Sequence, residues 1–372
     1  MTPQLEIQLI AVIVAIACAL PGVFLVLRKM AMMSDAITHT ILLGIVLAFF
    51  AVHSLNSPLL LIGATLMGLL TVYFVEILTK TKLVSEDSAI GLVFPLLFSL
   101  AIILISKYAG SVHLDTDSVL LGELAFAPFN RLKIAGIDFG AKALYSMGVI
   151  LILNIGFIYL FFKELKLATF DAGLAAVLGF SPIVLHYALM ASVSITAVGA
   201  FEAVGSILVI AFMIGPPISA YLITDDLKKM LFISAILGAI NALLGYQLAF
   251  AIDVSIAGAM ASMTGLSFLI VFILAPSRGL ITVIRRRNFQ KIDFTAKSML
   301  FHIYYHENAK NAKVENGIDT IYDHLNWPKH FLNKIVIKLK SEGHIIEDND
   351  MFKLTDSGRE FVIASYKDIV EN

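Results

Sequence analysis

The chain has 372 residues, of which 59% are hydrophobic and only 15% charged, and its mean hydropathy is +0.88. That balance excludes an ordinary soluble enzyme, in which roughly 25% of residues carry charge, and points to a polytopic membrane protein. The formal net charge of -1 conceals a charge-poor body up to Ser277 and a charge-rich tail beyond it, and the single cysteine, Cys18, excludes an internal disulfide.

A window of about 19 residues places spans over 7–27, 34–52, 59–78, 89–106, 143–162, 182–200, 203–222, 230–252 and 256–275, about nine in all. The first run is longer than a cleavable signal core and has no small-x-small cleavage pattern after it, so it reads as a retained span. Arg28/Lys29, Lys80/Lys82, Lys163/Lys166, Lys228/Lys229 and Arg285-Arg286-Arg287 follow alternate spans. The positive-inside rule then expects the N-terminus outside and the C-terminus in the cytosol. Lys107, Arg131, Lys133 and Lys142 fall on the outer side, but beside Asp115, Asp117, Glu123 and Asp138, which makes that loop electrically neutral. No Gly-x4-Gly-Lys-Ser/Thr loop occurs, so any ATP used in transport binds to another chain.

In chain order, the first stretch with chemistry is Arg28 to Thr40. Asp35 and His39 are four residues apart, which stacks a carboxylate and an imidazole on one face of a helix that continues into the apolar run after it. Ionisable groups inside a span are costly and usually line a pathway. Imidazole with carboxylate suits a borderline divalent cation such as Mn²⁺, Zn²⁺ or Fe²⁺ and forms half of a site. The competing reading makes Asp35 a helix cap and gives His39 a hydrogen bond to a neighbouring span.

Further on, His113, Asp115 and Asp117 alternate in the outer loop, where they either gather cations at a mouth or belong to a solvated loop with a helix cap. The segment 169–180 reads as a capped surface helix. Pro216 and Pro217 are expected to stop the seventh span, and the chain would then turn into a short helix around Ala220 before Thr224 or Asp225 caps the next one. That element, ending in Asp225-Asp226, suits either a partner's groove or an ordinary loop between spans. Asn241 is expected to hydrogen-bond between helices, and Asp253 to sit at the outer boundary.

Three ordered blocks resemble the permease subunits of the zinc/manganese/iron class of bacterial ABC importers. They are Phe24-Leu25-Val26-Leu27-Arg28-Lys29-Met30 running into Asp35-Ala36-Ile37-Thr38-His39, Val112-His113-Leu114-Asp115-Thr116-Asp117 through Glu123, and Val204-Gly205 through Gly215-Pro216-Pro217. The resemblance implies an all-α, type II ABC importer-like membrane domain over residues 1–288. It implies no enzyme site and no bound cofactor, but a transported divalent metal, with ATP hydrolysed by cytosolic ATP-binding subunits. An extracytoplasmic metal-binding protein and a second permease copy or related permease are the other implied partners, in the bacterial inner membrane. Carried over by position, the transport path falls on Asp35 and His39; His113, Asp115 and Asp117 stay a weaker metal-binding candidate on their own alternation. Coupling to the ATPase falls on Pro216, Pro217, Ala220, Thr224, Asp225 and Asp226. Thr40-Ile41-Leu42-Leu43-Gly44 departs from the small residues and proline common there in the family, which leaves the metal open; the outer block resembles manganese-type members. Outside this class, a proton-coupled metal carrier and a membrane-tethered metal-responsive regulator are the alternatives.

The tail, 289–372, reads as helices over 294–306, 318–325 and 329–342, followed by two short strands that turn at Asp348-Asn349-Asp350. Three helices and a hairpin resemble a winged helix, and Leu354-Thr355-Asp356-Ser357-Gly358-Arg359 resembles the segment after its wing. Lys329, Lys334, Lys338 and Lys340 decorate the third helix, yet 11 basic residues face 13 acidic ones across the tail, so DNA is not the expected partner. His302, His306 and Glu307 share helical spacing and read as surface residues or as metal ligands.

Overall fold

Among the described residues, the apolar runs become nine helices of 18 residues or more that are long and apolar enough to cross a membrane. In the computed structural model, which describes residues 2–53, 57–108, 124–134, 137–321, 325 and 327–370, these are α1 (Pro3–Leu27), α2 (Ala31–Val52), α3 (Pro58–Lys80) and α4 (Glu86–Tyr108) in the first part. A 3-10 turn, Leu124–Phe129, and a hairpin of β1 (Arg131–Ile134) with β2 (Ile137–Ala141) lead into α5 (Lys142–Leu160). Two short helices, α6 (Phe162–Phe170) and α7 (Ala172–Val177), precede α8 (Pro182–Val204), α9 (Ser206–Ile223), α10 (Leu227–Ile252) and α11 (Ile256–Leu274).

Local chemistry sets the starts. Side-chain oxygens of Ser57, Ser181 and Ser255 accept from backbone N–H groups of Leu59, Val184 and Gly258, which satisfies one otherwise orphaned donor at each N-terminus. Asp226 caps α10 by accepting from Lys229 N, and neither Thr224 nor Asp225, the expected caps, does so. Glu202 lies inside α8; the break before α9 falls at Gly205, whose φ of +80° favours glycine. The segment 169–180 is likewise divided at Asp171, whose carboxylate accepts from Leu174 N and opens α7.

In the bundle, α1 is the central helix and packs against α5, α8, α9 and α10, while α2, α3 and α4 form a second group that meets α8. Gly44 and Gly63 bring α2 and α3 backbone to backbone, since a Cβ on Gly44 would sit 2.4 Å from the Gly63 carbonyl oxygen.

Prolines inside the spans shape the core differently from expectation. Pro216 and Pro217 do not stop a helix: α9 runs through both, and both are buried. A proline removes the N–H that its i−4 carbonyl would accept, so Pro217 frees the carbonyl of Met213. Gly22 of α1 lies against that oxygen, so closely that a Cβ there would be 2.1 Å from it. Pro21 of α1 frees the Ala17 carbonyl in the same way, and Asn154 of α5 donates to it from Nδ2 at 3.0 Å. Asn154 also donates to Thr196 Oγ1 at 2.7 Å, and its Oδ1 accepts from Ser192 Oγ at 2.7 Å. The interhelix amide is therefore Asn154. Asn241, expected in that role, is buried with no hydrogen-bond partner for Nδ2 among the described residues. Asp253 ends α10 in a left-handed, exposed conformation.

The chain divides into two compact units, Met1–Gly279 and Leu280–Asn372. The second contains α12 (Leu280–His306), α13 (Ala312–Glu315), α14 (Lys329–Ser341), β3 (Ile345–Asp348), β4 (Met351–Leu354) and α15 (Asp356–Val370). Met299, Ile303, Ile335, Leu339 and Phe352 centre its own core. β3 and β4 pair antiparallel from Ile345↔Leu354 to Asp348↔Met351. Asn349 and Asp350 turn the hairpin with φ of 51° and 60°, the pattern of a type I′ turn. Part of the helix expected over 318–325 lies outside the described residues.

Candidate metal path and its surroundings

Asp35 and His39 lie one turn apart on α2, with His39 Nε2 3.3 Å from Asp35 Oδ1. Their side chains are 28% and 22% exposed, so the pair is neither sealed in the core nor freely solvated. The surroundings limit its motion. Thr38 Oγ1 donates to the Asp35 carbonyl at 2.8 Å, and Thr71 of α3 donates to Thr40 Oγ1 at 2.7 Å, tying this turn of α2 to its neighbour. The His39 ring sits against Phe94 and Phe98 of α4, with centroid distances of 5.3 and 5.8 Å. Asp35 is therefore not the N-cap of α2, a position taken by Met30. Phe94 and Phe98 thus wall the imidazole, and one imidazole and one carboxylate one turn apart are ligand types that suit a borderline cation.

No further His, Cys, Asp or Glu joins that pair as a third ligand among the described residues. His113, Asp115 and Asp117 lie outside the described residues. Pro216, Pro217 and Ala220 are buried within the bundle, whereas Thr224, Asp225 and Asp226 occupy the turn between α9 and α10. Asp225 is ion-paired with Arg278, and Asp226 is the cap already described.

A second constellation escapes sequence reasoning. Glu76 of α3 and His186 of α8 meet at 2.6 Å between Oε1 and Nε2, and Tyr187 Oη and Lys80 Nζ each donate to Glu76 Oε2 at 3.0 Å. Arg28, between α1 and α2, donates to Thr169 Oγ1 at 3.1 Å and places NH1 3.3 Å from His186 Nδ1. Burial lowers the pKa of that guanidinium. Arg28, Glu76, Lys80, Glu86, His186 and Tyr187 line a cavity of about 430 Å³. A signal is present in the sequence, since Glu76 and His186 are ionisable groups inside predicted spans, as Asp35 and His39 are. It is hidden because the partners come from five separate segments.

The model of the family described as "ABC 3 transport family" matches residues 5–275, nearly the whole first unit. The chain belongs to that family. The zinc transport system membrane protein TroD of Treponema pallidum (strain Nichols) is 42% identical over 354 residues, covering 95% of this chain and 96% of TroD. The manganese transport system membrane protein MntD of Bacillus subtilis (strain 168) is 45% identical over 281 residues, covering 75% of this chain and 95% of MntD. Among solved structures, PsaBC from Streptococcus pneumoniae in complex with Fab matches with a TM-score of 0.63 and 28% identity, over 75% of this chain and 94% of that one. As an ABC 3 family member, this chain is a multi-pass membrane permease subunit and not an enzyme.

Proposed function

We propose that this chain is the permease of an ATP-driven importer of divalent transition-metal cations, and that the ion passes Asp35 and His39. The observation that carries the reading is that pair: two ligands of borderline-metal type, 3.3 Å apart on a partly exposed face of a membrane-spanning helix. Relatives named for zinc and for manganese transport support the cation class. Manganese is the favoured cargo, with zinc or iron as the other outcomes of the test. Among the described residues the site offers two ligands where such an ion takes about four, and a second permease copy or a related permease forms the rest of the transport core. ATP is hydrolysed by cytosolic ATP-binding subunits, and an extracytoplasmic metal-binding protein delivers the ion to an inner-membrane complex whose C-terminus is cytosolic.

The ATP-binding subunits dock on α6–α7 together with the turn at Thr224, Asp225 and Asp226. Leu174, Val177, Leu178 and Phe180 present exposed apolar surface on α7 and just after it, and Lys228 Nζ at the start of α10 lies 5.7 Å from the centroid of the Phe162 ring at the start of α6, so the two segments adjoin. Pro216, Pro217 and Ala220 serve that surface only from inside, by holding α9 against α1. The tail, a winged-helix-like domain in this reading, regulates or assembles the complex and does not read DNA.

Uptake of Mn²⁺, Zn²⁺ and Fe²⁺ in competition, by cells carrying this chain with its genomic neighbours, tests the whole proposal. Uptake of one or more of these ions that requires Asp35 and His39 supports it. Uptake by the purified chain without any ATPase would instead favour a proton-coupled carrier.

A further inference from the structure

The C-terminal unit brings together three ligand types that the transport path does not use. His302 and His306 lie one turn apart at the end of α12, and Glu315 ends α13 across the intervening turn. One ligand atom from each lies within 4.8 Å of the others, the only such group of three among the described residues. All three are partly buried, so a cation and water can reach them.

The group is built into its surroundings. His302 Nε2 is 3.1 Å from the main-chain oxygen of Glu315 and 4.0 Å from its Oε2, and the rings of His302 and His306 lie 4.7 Å apart. Asn311 donates to Glu315 Oε1 at 2.9 Å, which orients the carboxylate. Glu307, adjacent in sequence, accepts instead from Arg359 at 2.7 Å and belongs to the contact with α15. The two histidines also sit at a helix C-terminus, where the aligned peptide dipoles favour positive charge.

We infer that His302, His306 and Glu315 form a binding site for a borderline divalent transition-metal cation of the zinc class, separate from Asp35 and His39. Two imidazoles and one carboxylate are a three-ligand set that zinc accepts with water in the remaining position, and imidazole disfavours Mg²⁺ and Ca²⁺. A cation bound through His302 Nε2 replaces the hydrogen bond to the Glu315 carbonyl; one bound through Nδ1 keeps it. In both cases the ion fastens the end of α12 to the residue before Asn316. The Asn316 carbonyl accepts from Phe352 N at 2.9 Å, and its side chain donates to the Ile303 carbonyl at 3.2 Å. Occupancy therefore stiffens the joint between α12 and the β3–β4 hairpin.

The test uses the full chain, purified metal-free in detergent and carrying Asp35→Ala and His39→Ala, so that failure of the transport-path reading cannot mimic failure of this one. Zn²⁺ is titrated by calorimetry, with Mg²⁺ as competitor, and Co²⁺ serves as the spectroscopic probe of coordination. One equivalent of Zn²⁺ binds, Mg²⁺ does not displace it, and Co²⁺ gives ligand-field bands of imidazole and carboxylate coordination. His306→Ala and the near-isosteric Glu315→Gln each weaken binding at least tenfold, whereas Glu307→Gln leaves it unchanged. Hydrogen exchange at Phe352 slows when Zn²⁺ is added. Absence of stoichiometric binding in the path-deficient background would overturn the assignment. Binding that survives both His306→Ala and Glu315→Gln, or that leaves exchange at Phe352 unaltered, would overturn it equally.

Discussion

At the scale of single residues, a polar group in a span is costly without a partner, and where one is found the partner reveals its work. Among the described residues Asp35 and His39 find each other, while aromatic rings hold His39 in place. Replacing either by Ala removes a ligand and makes α2 more apolar, so we expect uptake to be abolished while membrane insertion is preserved. Radiolabelled uptake beside a membrane-fraction blot checks this, and normal uptake by both variants would sink the assignment. Asn154 behaves in the opposite way, with every polar atom engaged by other helices and by the carbonyl that Pro21 exposes. Asn154→Leu leaves the Ala17 oxygen without that donor, at a loss of about 1–2 kcal/mol. A lowered Tm of the purified protein, with the α-helical circular dichroism signal retained below it, is the expected result.

At the scale of elements, the two short helices between α5 and α8 carry the surface that a soluble partner would need. Val177 is 84% exposed and Leu178 59%, beyond what an isolated surface loop requires. Leu174→Glu with Val177→Glu is expected to weaken co-purification of the ATP-binding subunits at least tenfold and to leave the fold intact, because neither side chain is in the core. Unchanged association would return the coupling role to the turn at Asp225 alone. In that turn, the hydrogen bond from the Lys229 backbone N–H holds the Asp226 carboxyl below its ordinary range. Its capping contribution is present above the ordinary aspartate range and is lost as pH falls through the depressed value. Asp226→Asn should keep the cap and flatten that part of the acid-stability profile, measured as Tm against pH.

At the scale of the whole molecule, the match to TroD extends over 354 residues and so takes in most of the tail, whereas the match to MntD spans 281. A transport unit without such a tail is therefore found within the family, and we expect a chain ending at residue 292 to retain uptake. Complete loss of uptake would show the tail to be integral to the transporter. The tail's acidic balance further predicts poor binding to random duplex DNA at physiological salt and no sequence preference in a gel shift, whereas a DNA reader would show non-specific affinity that falls steeply as salt rises. Submicromolar, sequence-selective binding would make the tail a DNA reader.

Hydropathy is a local sum, and a span is defined by its own composition, so the nine spans among the described residues and the spacing of Asp35 and His39 are legible in the amino-acid sequence alone. The Asn349-Asp350 turn is legible for the same reason, because its backbone geometry depends on adjacent residues alone. Pro216 and Pro217 depart from the local rule because the usual effect of proline assumes that an exposed carbonyl has nowhere to go, and Gly22, far away in sequence, lies against the oxygen that Pro217 exposes. Glu76 with His186, Asn154 with Ala17, and Glu315 with His302 are likewise pairs made by packing. Which polar group meets which is decided only when the elements pack together, since a group taken from water is costly alone and its partner is one that no local pattern specifies.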